Sequence, residues 1–238
     1  MAVTVSAGCA YRLAAAHRPQ ELNGSPSSPM DTARIAKLLR PFAGDAELSP
    51  PLLDQLQRYL DVLLRWNARI NLTAVRDAEQ VVTRHFGESL FAARVLFAKP
   101  PKNTTLADVG SGAGLPGIPI KLFAPLIAVT LIESHQKKTT FLREVIRALD
   151  LEHAEAFCGR AEEWGKTADV VAMRAVEKFA RALPAAAKLV APGGRLCLLI
   201  GLAQRDSAQN LLGEGWRWKD PQPVPQSTGR LVVIANRT

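Results

Sequence analysis

The stretch Asp108-Val109-Gly110-Ser111-Gly112-Ala113-Gly114-Leu115-Pro116-Gly117 decides the fold of this chain of 238 residues. A short, mostly apolar run at 105–107 comes before it, and an apolar segment at 118–123 follows it. This order predicts a buried strand, a glycine-rich turn and a helix. Glycine has no Cβ, so a ligand can approach the backbone of such a turn, and the helix that follows would offer unpaired N–H groups and the positive end of its dipole. The stretch is therefore predicted to be a nucleotide-type binding loop.

The spacing of Gly110, Gly112 and Gly114 distinguishes between possible cofactors. A dinucleotide site has the pattern Gly-x-Gly-x-x-Gly, and a phosphate-binding P-loop needs Gly-Lys-Ser/Thr. Here Leu115 stands where the third glycine of the dinucleotide pattern would be, and no such lysine is present. Asp108, at the end of the strand, could meet an ammonium group, which S-adenosylmethionine carries. The spacing favours S-adenosylmethionine, and the alternative is a tight turn that binds no ligand.

The composition is that of a globular protein with an excess of positive charge. Hydrophobic residues make up 47% and charged residues 22%, and no apolar run reaches the length of a membrane span. A net charge of +8 indicates nucleic acid, before an acidic membrane surface, as a partner, although an ordinary basic enzyme fits equally well. Cys9, Cys158 and Cys197 have no metal-ligand spacing, and the last two are expected to be buried thiols. We therefore predict no metal site and a reducing, cytoplasmic location.

The chain is predicted to have three parts. Residues 1–29 contain several prolines and serines and are expected to be a disordered leader or the result of a misassigned start. Residues 30–103 are predicted to form an N-terminal helical lid, in which Pro41 ends a short helix and Ser49 caps a long one. Residues 104–238 alternate between strand and helix patterns and are predicted to form a cofactor-binding domain.

This alternation predicts an α/β fold with a seven-stranded, mostly parallel sheet and helices on both faces, as in Rossmann-like class I methyltransferases. The predicted strands are 105–109, 128–133, 154–158, 168–173, 194–200, 215–219 and 230–236. The predicted helices are 116–123, 136–149, 178–189 and 203–212. No helix is obvious between the last two strands, so an antiparallel hairpin is expected at one edge.

Residues at the ends of the next strands complete the predicted cofactor site. Glu133 ends the second strand, where an acid can accept hydrogen bonds from ribose hydroxyls. After the third strand, backbone groups of Ala161 and Glu162 could contact the adenine edge. Arg174 ends the fourth strand and could anchor the cofactor carboxylate or an RNA phosphate. Its alternative is a structural pair with Asp169 or with Glu133.

The helix after the second strand is predicted to carry a basic face, with Ser134 as its N-terminal cap. The basic residues are Lys137, Lys138, Arg143 and Arg147. Such a run is usually a solvated surface, but together with the positive net charge it is equally consistent with phosphate contact.

The end of the fourth strand restricts the methyl acceptor. Methylation of an exocyclic amine commonly uses an Asn/Asp-Pro-Pro-aromatic tetrapeptide there, and methylation of pyrimidine C5 needs a cysteine nucleophile. Residues 173–176 read Met-Arg-Ala-Val and contain neither. An acceptor that is already nucleophilic remains, such as guanine N7, which needs alignment with the methyl group but no deprotonation. No catalytic residue is assigned.

Several motifs together resemble one known family. They are Asn71-Leu72-Thr73-Ala74, Arg84-His85-Phe86 with Ser89-Leu90, the loop 108–117 with Pro119, Glu133-Ser134 with Lys137-Lys138 and Phe141-Leu142, Arg160-Ala161-Glu162, and Arg174-Ala175. From about Leu48 to the C-terminus, the chain resembles the RsmG (GidB) family of bacterial 16S rRNA guanine-N7 methyltransferases. Two features depart from the family pattern: Glu88 stands where the family usually has Asp, and residues 1–29 have no counterpart.

The resemblance implies an S-adenosylmethionine-dependent enzyme that methylates guanine N7 in the 530 loop of 16S rRNA, in free rRNA or in the small ribosomal subunit. The positions that it places at the cofactor are Gly110, Leu115, Glu133, Ala161, Glu162 and Arg174. It also suggests that Asn71, Arg84 and His85 line the mouth of the site, where packing between lid and sheet is their alternative role. His85 is not assigned as a general base.

Other classes of function remain open from sequence alone. The same fold could methylate a protein or a small molecule, since fold does not determine substrate. A nucleotide-dependent oxidoreductase and a non-enzymatic RNA-binding module are further alternatives, although the glycine spacing argues against the first and the intact cofactor loop against the second. The chain has no coiled-coil pattern, and we expect a monomer.

Overall fold

The computed structural model describes residues 30–99, 101, 103–174 and 178–238, so the leader predicted at 1–29 lies outside the described residues. The N-terminal region is helical. Its elements are α1 (Thr32–Ala43), α2 (Pro50–Asn67), α3 (Ala78–Gln80), a π-helical segment (Val81–Gly87) and α4 (Glu88–Leu96). The last three follow one another without a break, so residues 78–96 form one long helix with a π-helical middle.

The ends of the first two helices differ in detail from the sequence predictions. Asp31 caps α1, and its carboxylate accepts a hydrogen bond of 2.7 Å from the backbone N–H of Arg34. Pro41 was predicted to end α1 but lies inside its last turn. The helix continues to Ala43, and both Phe42 and Ala43 are buried. Ser49 stands at the N-cap of α2 as predicted, but its side chain makes no capping hydrogen bond within the described residues.

The C-terminal part is a single mixed sheet flanked by helices. Its strands are β1 (Thr105–Val109), β2 (Ala128–Glu133), β3 (Ala154–Cys158), β4 (Ala168–Arg174), β5 (Val190–Gly201), β6 (Trp216–Trp218), β7 (Gln222–Pro223) and β8 (Arg230–Arg237). Its helices are α5 (Gly117–Phe123), α6 (Gln136–Ala148), α7 (Phe179–Lys188) and α8 (Leu202–Leu212), with a 3-10 turn at Ala161–Glu163. The predicted helices and strands are all present, and the two-residue strand β7 was not predicted.

The strand order is β3-β2-β1-β4-β5-β8-β6, and β7 pairs with β8. The first five strands are parallel, whereas β8 runs antiparallel to β5 and pairs antiparallel with β6. The predicted mostly parallel sheet of about seven strands is therefore confirmed. The chain passes from β1 to β2 on one side and returns to β4 on the other. The crevice at the carboxyl ends of β1 and β4 is a topological switch point, where open α/β sheets bind ligands.

The two faces of the sheet bury different helices, as the alternation of side chains along a strand requires. Leu106 belongs to a core on one face that includes residues of α1, α2, α4, α5 and α6, whereas Ala107 belongs to a core on the other face that includes residues of α7 and α8. The N-terminal helices thus share a hydrophobic core with one face of the sheet. This packing holds the segment between α2 and α3 close to the carboxyl edge of the sheet.

The prediction that both strand cysteines are buried is wrong for one of them. Cys158 is exposed, because β3 is the edge strand of the sheet, whereas Cys197 lies buried in the central strand β5. Among the described residues, no helix is long and apolar enough to cross a membrane. The same residues contain no cluster of three or more His, Cys, Asp or Glu side chains that could hold a metal ion.

Candidate cofactor and substrate site

The glycine-rich loop connects β1 to α5 and is fixed to the neighbouring strand. The backbone N–H groups of Gly110 and Ser111 both donate to the carbonyl of Ile132 at the end of β2, at 2.9 and 3.1 Å. Gly110 has a φ of +70°, a conformation that side chains with a Cβ rarely adopt. The Leu115–Pro116 peptide bond is cis. The predicted strand–turn–helix arrangement is therefore present.

Asp108 lies beneath this loop, not on a cavity wall. Its side chain is fully buried, and Oδ2 accepts a hydrogen bond of 3.0 Å from the N–H of Gly117, the first residue of α5. Burial raises the pKa of Asp108 to about 7, although the bond from Gly117 acts in the opposite direction. Oδ1 has no hydrogen-bond partner in the described part of the chain. Because Asp108 occupies the first N–H group of α5, the helix end predicted to face a ligand is already capped.

Two cavities open side by side at the carboxyl edge of the sheet. The smaller has a volume of about 250 Å³ and lies against β1, β2 and the 3-10 turn, with Ala161 and Glu162 on its wall. The larger has a volume of about 950 Å³ and lies between the loop and the N-terminal region. Gly110, Ser134 and Lys178 line both cavities, so the two form one continuous site.

The larger cavity brings together many of the predicted site residues. Those on its wall are Asn71, His85, Gly110, Gly112, Leu115, Glu133, Lys138 and Arg174. Gly114 was predicted to contact the cofactor, but it is not among the described residues that line either cavity. A Cβ at this position would meet the side chain of Ile118 at 2.3 Å and the Tyr59 hydroxyl at 3.0 Å. Gly114 is therefore required for the contact between the loop and the N-terminal helices.

Glu133 holds the loop in place at the end of β2. Its Oε2 accepts a hydrogen bond of 3.0 Å from the N–H of Gly112, and its Oε1 accepts one of 2.8 Å from the N–H of His135. Each carboxylate oxygen has a second lone pair, so both can still accept from a diol in the cavity. His135 is the N-cap residue of α6, and the prediction that Ser134 caps this helix is wrong.

The π-helical segment carries His85 to the wall of the larger cavity. π-helical turns are rare and frequently occur at functional sites. The Nε2 atom of His85 lies 2.7 Å from the hydroxyl of Thr73, and its Nδ1 lies 3.0 Å from Nη2 of Arg174. The preceding residue, Arg84, is exposed and contributes its carbonyl, which accepts from the same nitrogen of Arg174 at 2.9 Å.

A buried ion pair holds Arg174 in position. Nη2 of Arg174 lies 2.9 Å from Oε2 of Glu88, and this same oxygen accepts from Arg230 at 2.8 Å. The alternative pairs of Arg174 with Asp169 or Glu133 do not form. The Nε atom of Arg174 is buried with no hydrogen-bond partner among the described residues. Arg174 thus reaches the cavity wall as predicted, but its Nη2 is committed to protein groups.

Burial and the neighbouring guanidinium of Arg174 lower the pKa of His85 to about 3. In the unfolded chain this pKa is about 6.5, so between these values the unfolded state binds more protons. The free energy of unfolding should therefore fall as the pH drops from 6.5 towards 3. We expect His85→Gln to have a shallower slope in this window, measured by urea unfolding at several pH values. His153→Gln, at an exposed position, is the control, and equal slopes for all three proteins would contradict the prediction.

The prediction of one basic face on α6 is wrong. Lys138 lines the larger cavity, whereas Arg147 lies nine positions later, at about 100° per residue, on the opposite side of the helix. Lys137, Arg143 and Arg147 are exposed. Only the first turn of α6 therefore lies beside the site.

The site includes residues that sequence reasoning did not assign to it. Thr73 was quoted only within a motif, and Lys178 and Arg230 were given no role, yet all three line the larger cavity. Tyr59 lies in α2, the long helix predicted after Ser49, and was assigned no role in the site. Its hydroxyl donates to the carbonyl of Ala113 in the glycine-rich loop, and its ring stacks on Phe86 with centroids 4.8 Å apart.

A comparison with protein families assigns the chain that carries this site to one of them. The family model described as GidB, rRNA small subunit methyltransferase G, matches residues 52–213. This match covers more than half of the chain and includes the glycine-rich loop and both cavities' main walls. The chain belongs to the GidB family.

Relatives support membership of the GidB family over nearly the whole chain. Ribosomal RNA small subunit methyltransferase G of Xanthomonas campestris pv. campestris (strain B100) is 38% identical over 219 residues, which cover 90% of this chain and 99% of the relative. The enzyme of the same name from Stenotrophomonas maltophilia (strain K279a) is 39% identical over 194 residues, which cover 80% and 87%. The protein is therefore a methyltransferase, as the sequence predicted.

Solved structures support the fold of this GidB protein. The structure of M. jannaschii TYW2 in complex with AdoMet matches with a TM-score of 0.51 at 17% identity, covering 64% of this chain and 74% of that one. The fold is that of the Rossmann-like methyltransferases. Together with the family, it identifies S-adenosylmethionine as the cofactor.

Proposed function

We propose that the protein transfers the methyl group of S-adenosylmethionine to N7 of a guanine in the 530 loop of 16S rRNA, acting as a monomer in the cytoplasm. The observation that carries this proposal is the pair of joined cavities at the switch point of the sheet. The smaller suits an adenosine, and the larger has room for the amino-acid end of the cofactor and an acceptor base.

The residues present fit the cofactor. Ala161 and Glu162 of the 3-10 turn line the smaller cavity, which supports the proposal that their backbone groups bond to the adenine edge. Glu133, on the wall of the larger cavity, keeps lone pairs free for ribose hydroxyls. The bare backbone of Gly110 borders both cavities, so the ligand can pass from one to the other there. The unpartnered carboxylate oxygen of Asp108 remains a proposed electrostatic partner of the cofactor ammonium through the loop.

The charge of the larger cavity supports a nucleic-acid substrate. The basic residues that line it are Arg76, Lys138, Arg174, Lys178 and Arg230, and Glu133 is the acid among the described lining residues. Glu88 behind this wall compensates for part of the positive charge. Phosphate groups of RNA would be attracted to such a rim, and a cationic or apolar substrate would not.

The chemistry of the walls supports direct methyl transfer to a ring nitrogen. The lowered pKa of His85, about 3, keeps its ring neutral at physiological pH, and both ring nitrogens already have partners. Neither cavity has a cysteine in its described lining that could form a covalent adduct. Guanine N7 has a free lone pair and needs neither group. The role of the protein is then to hold N7 in line with the methyl group at near-attack distance.

The test is methylation with labelled S-adenosylmethionine of small subunits that lack the modification, of free 16S rRNA, and of a protein extract. We expect label in RNA, and cleavage of the borohydride-treated RNA with aniline at one guanine of the 530 loop. Label in protein alone would refute the RNA substrate, and labelled RNA that resists cleavage would refute the N7 position.

The position of the first turn of α6 leads to a prediction for RNA binding. Lys137→Glu combined with Lys138→Glu should weaken RNA binding and lower the slope of log K against log salt by about 0.7 to 0.9 for each lost phosphate contact. Calorimetry should show unchanged affinity for S-adenosylmethionine. Arg143→Glu combined with Arg147→Glu, at exposed positions further along the same helix, is the charge-matched control. If this control reduced the salt slope as much as the change at Lys137 and Lys138, the proposed position of the RNA would be wrong.

A further inference from the structure

Thr73 stands on the wall of the larger cavity and ends a chain of hydrogen bonds. Its hydroxyl lies 2.7 Å from Nε2 of His85 and accepts from the backbone N–H of Val75 at 3.2 Å. His85 in turn contacts Nη2 of Arg174 at 3.0 Å through Nδ1. The Glu88 carboxylate holds that nitrogen at 2.9 Å. The chain therefore starts at a buried ion pair and finishes at a hydroxyl group in the site.

Arg174 determines which nitrogen of His85 carries the proton. A guanidinium has only donors, so a proton on Nδ1 would place two donors against each other. Nδ1 therefore accepts, and it shares the two hydrogens of Nη2 with the Glu88 carboxylate and the carbonyl of Arg84. The ring is neutral, so its one proton is on Nε2. His85 consequently donates to Thr73.

These bonds leave the Thr73 hydroxyl able to donate a hydrogen bond to a ligand but not to accept one. A hydroxyl has two lone pairs and one proton. One lone pair accepts from Nε2–H of His85 and the other from the N–H of Val75. The proton has no acceptor among the described residues, and Thr73 lines the cavity. A ligand atom in the cavity thus meets a fixed hydrogen-bond donor that cannot act as an acceptor.

We propose that Thr73 is a specificity-determining residue whose hydroxyl donates to O6 of the target guanine and thereby excludes adenine. This inference rests on the proposed function. Beside N7, guanine presents the O6 acceptor, whereas adenine presents the N6 amino group, a donor. A hydroxyl that can only donate therefore bonds to guanine and opposes adenine. Guanine N7 itself stays free for methylation.

The position of Thr73 in the chain favours the base, and not the cofactor, as the partner of its hydroxyl. The groups proposed to hold the cofactor, such as Gly110, Glu133 and Ala161, all lie at or just after the ends of strands of the sheet. Thr73 comes from the segment between α2 and α3 in the N-terminal region. It therefore faces the cavity from the N-terminal region, none of whose described residues lines the smaller, adenosine-sized cavity.

The test compares wild type, Thr73→Val and Thr73→Ser on small subunits reconstituted with guanine, inosine or adenine at the target position. Wild type should methylate guanine and inosine, which both have O6, and discriminate against adenine. Thr73→Val should lose about 10- to 100-fold in kcat/KM on guanine and little on adenine, so that discrimination falls. Thr73→Ser should restore it. Calorimetry should show that all three bind S-adenosylmethionine with the same affinity.

Three results would overturn the proposal. If Thr73→Val kept the preference for guanine over adenine, or lost only affinity for S-adenosylmethionine, the hydroxyl would not contact the base. If wild type formed no N7-methylguanine on any substrate, the proposed function would fail and this inference with it.

A measurement on the unmodified protein does not depend on the folding of a variant. The ¹⁵N shifts of His85 should show the Nε2–H tautomer, and the Nδ1–H tautomer would make Thr73 a donor to His85 and refute the proposal.

Discussion

Gly110→Asp is expected to reduce the affinity for S-adenosylmethionine by about 100-fold or more and to abolish methylation. Gly110 borders both cavities, so a carboxymethyl group there would occupy the passage between them. Its φ of +70° is also unfavourable for any residue with a Cβ. In addition, the new carboxylate would be repelled by the carboxylate of Glu133. Glu133 lies close to this loop, because it accepts a hydrogen bond from the N–H of Gly112.

The comparison that isolates the cavity is Gly193→Asp. Gly193 has a φ of +71°, and a Cβ added there meets nothing within 4 Å. It lies near the start of β5, whereas the site lies at the opposite, carboxyl ends of the parallel strands. Both variants therefore carry the same charge and similar backbone strain. Calorimetry with S-adenosylmethionine should show binding by Gly193→Asp and none by Gly110→Asp; similar loss in both would mean that strain, not the occupied passage, is responsible.

The local parts of the structure could be predicted from the sequence because each depends on neighbours in the chain. The strand, loop and helix around Gly110 follow from apolar runs and glycine spacing, and Glu133 follows from its place at the end of the next strand. Parallel strands bring their carboxyl ends to one edge of the sheet, so Gly110, Glu133, Ala161 and Arg174 meet there without any knowledge of side-chain packing.

The remaining parts depend on contacts between distant segments, and the sequence contains no local signal for them. Arg174 was assigned a possible partner on its own strand β4 or on β2, but its partner Glu88 comes from a helix 86 positions earlier. Tyr59 belongs to an apolar stripe, and only the packed structure shows that it holds the loop. The exposure of Cys158 likewise follows from the position of β3 at the sheet edge, which pattern alone does not give.

The buried pair of Arg174 and Glu88 leads to the second large effect. Glu88→Gln is expected to lower the free energy of unfolding by about 3 to 5 kcal/mol, because it leaves a buried guanidinium without its counter-charge. The two side chains are only 6% and 5% exposed. Burial already lowers the pKa of Arg174, and the Glu88 carboxylate is the main group that opposes this shift. Glu88→Asp keeps the charge and should retain most of the stability.

The pair of Arg34 and Glu79 is the matched control for this effect. Its atoms are 2.6 Å apart, closer than in the buried pair, but its side chains are 39% and 46% exposed. Water already solvates both groups, so Glu79→Gln should cost less than about 1 kcal/mol in the same urea unfolding experiment. Equal costs for the two variants would contradict the argument from burial.

Activity separates the structural role of Glu88 from its role in the site. Replacing both members of a buried ion pair by apolar residues of similar size is often neutral for stability. The double variant Glu88→Leu with Arg174→Met should therefore unfold at a urea concentration closer to that of wild type than Glu88→Gln does. Its kcat/KM on guanine should stay about 10- to 100-fold below that of wild type, because His85 loses the donor that fixes its tautomer, and Thr73 is then no longer held as a donor to the base. Recovery of activity together with stability would show that the pair serves folding alone.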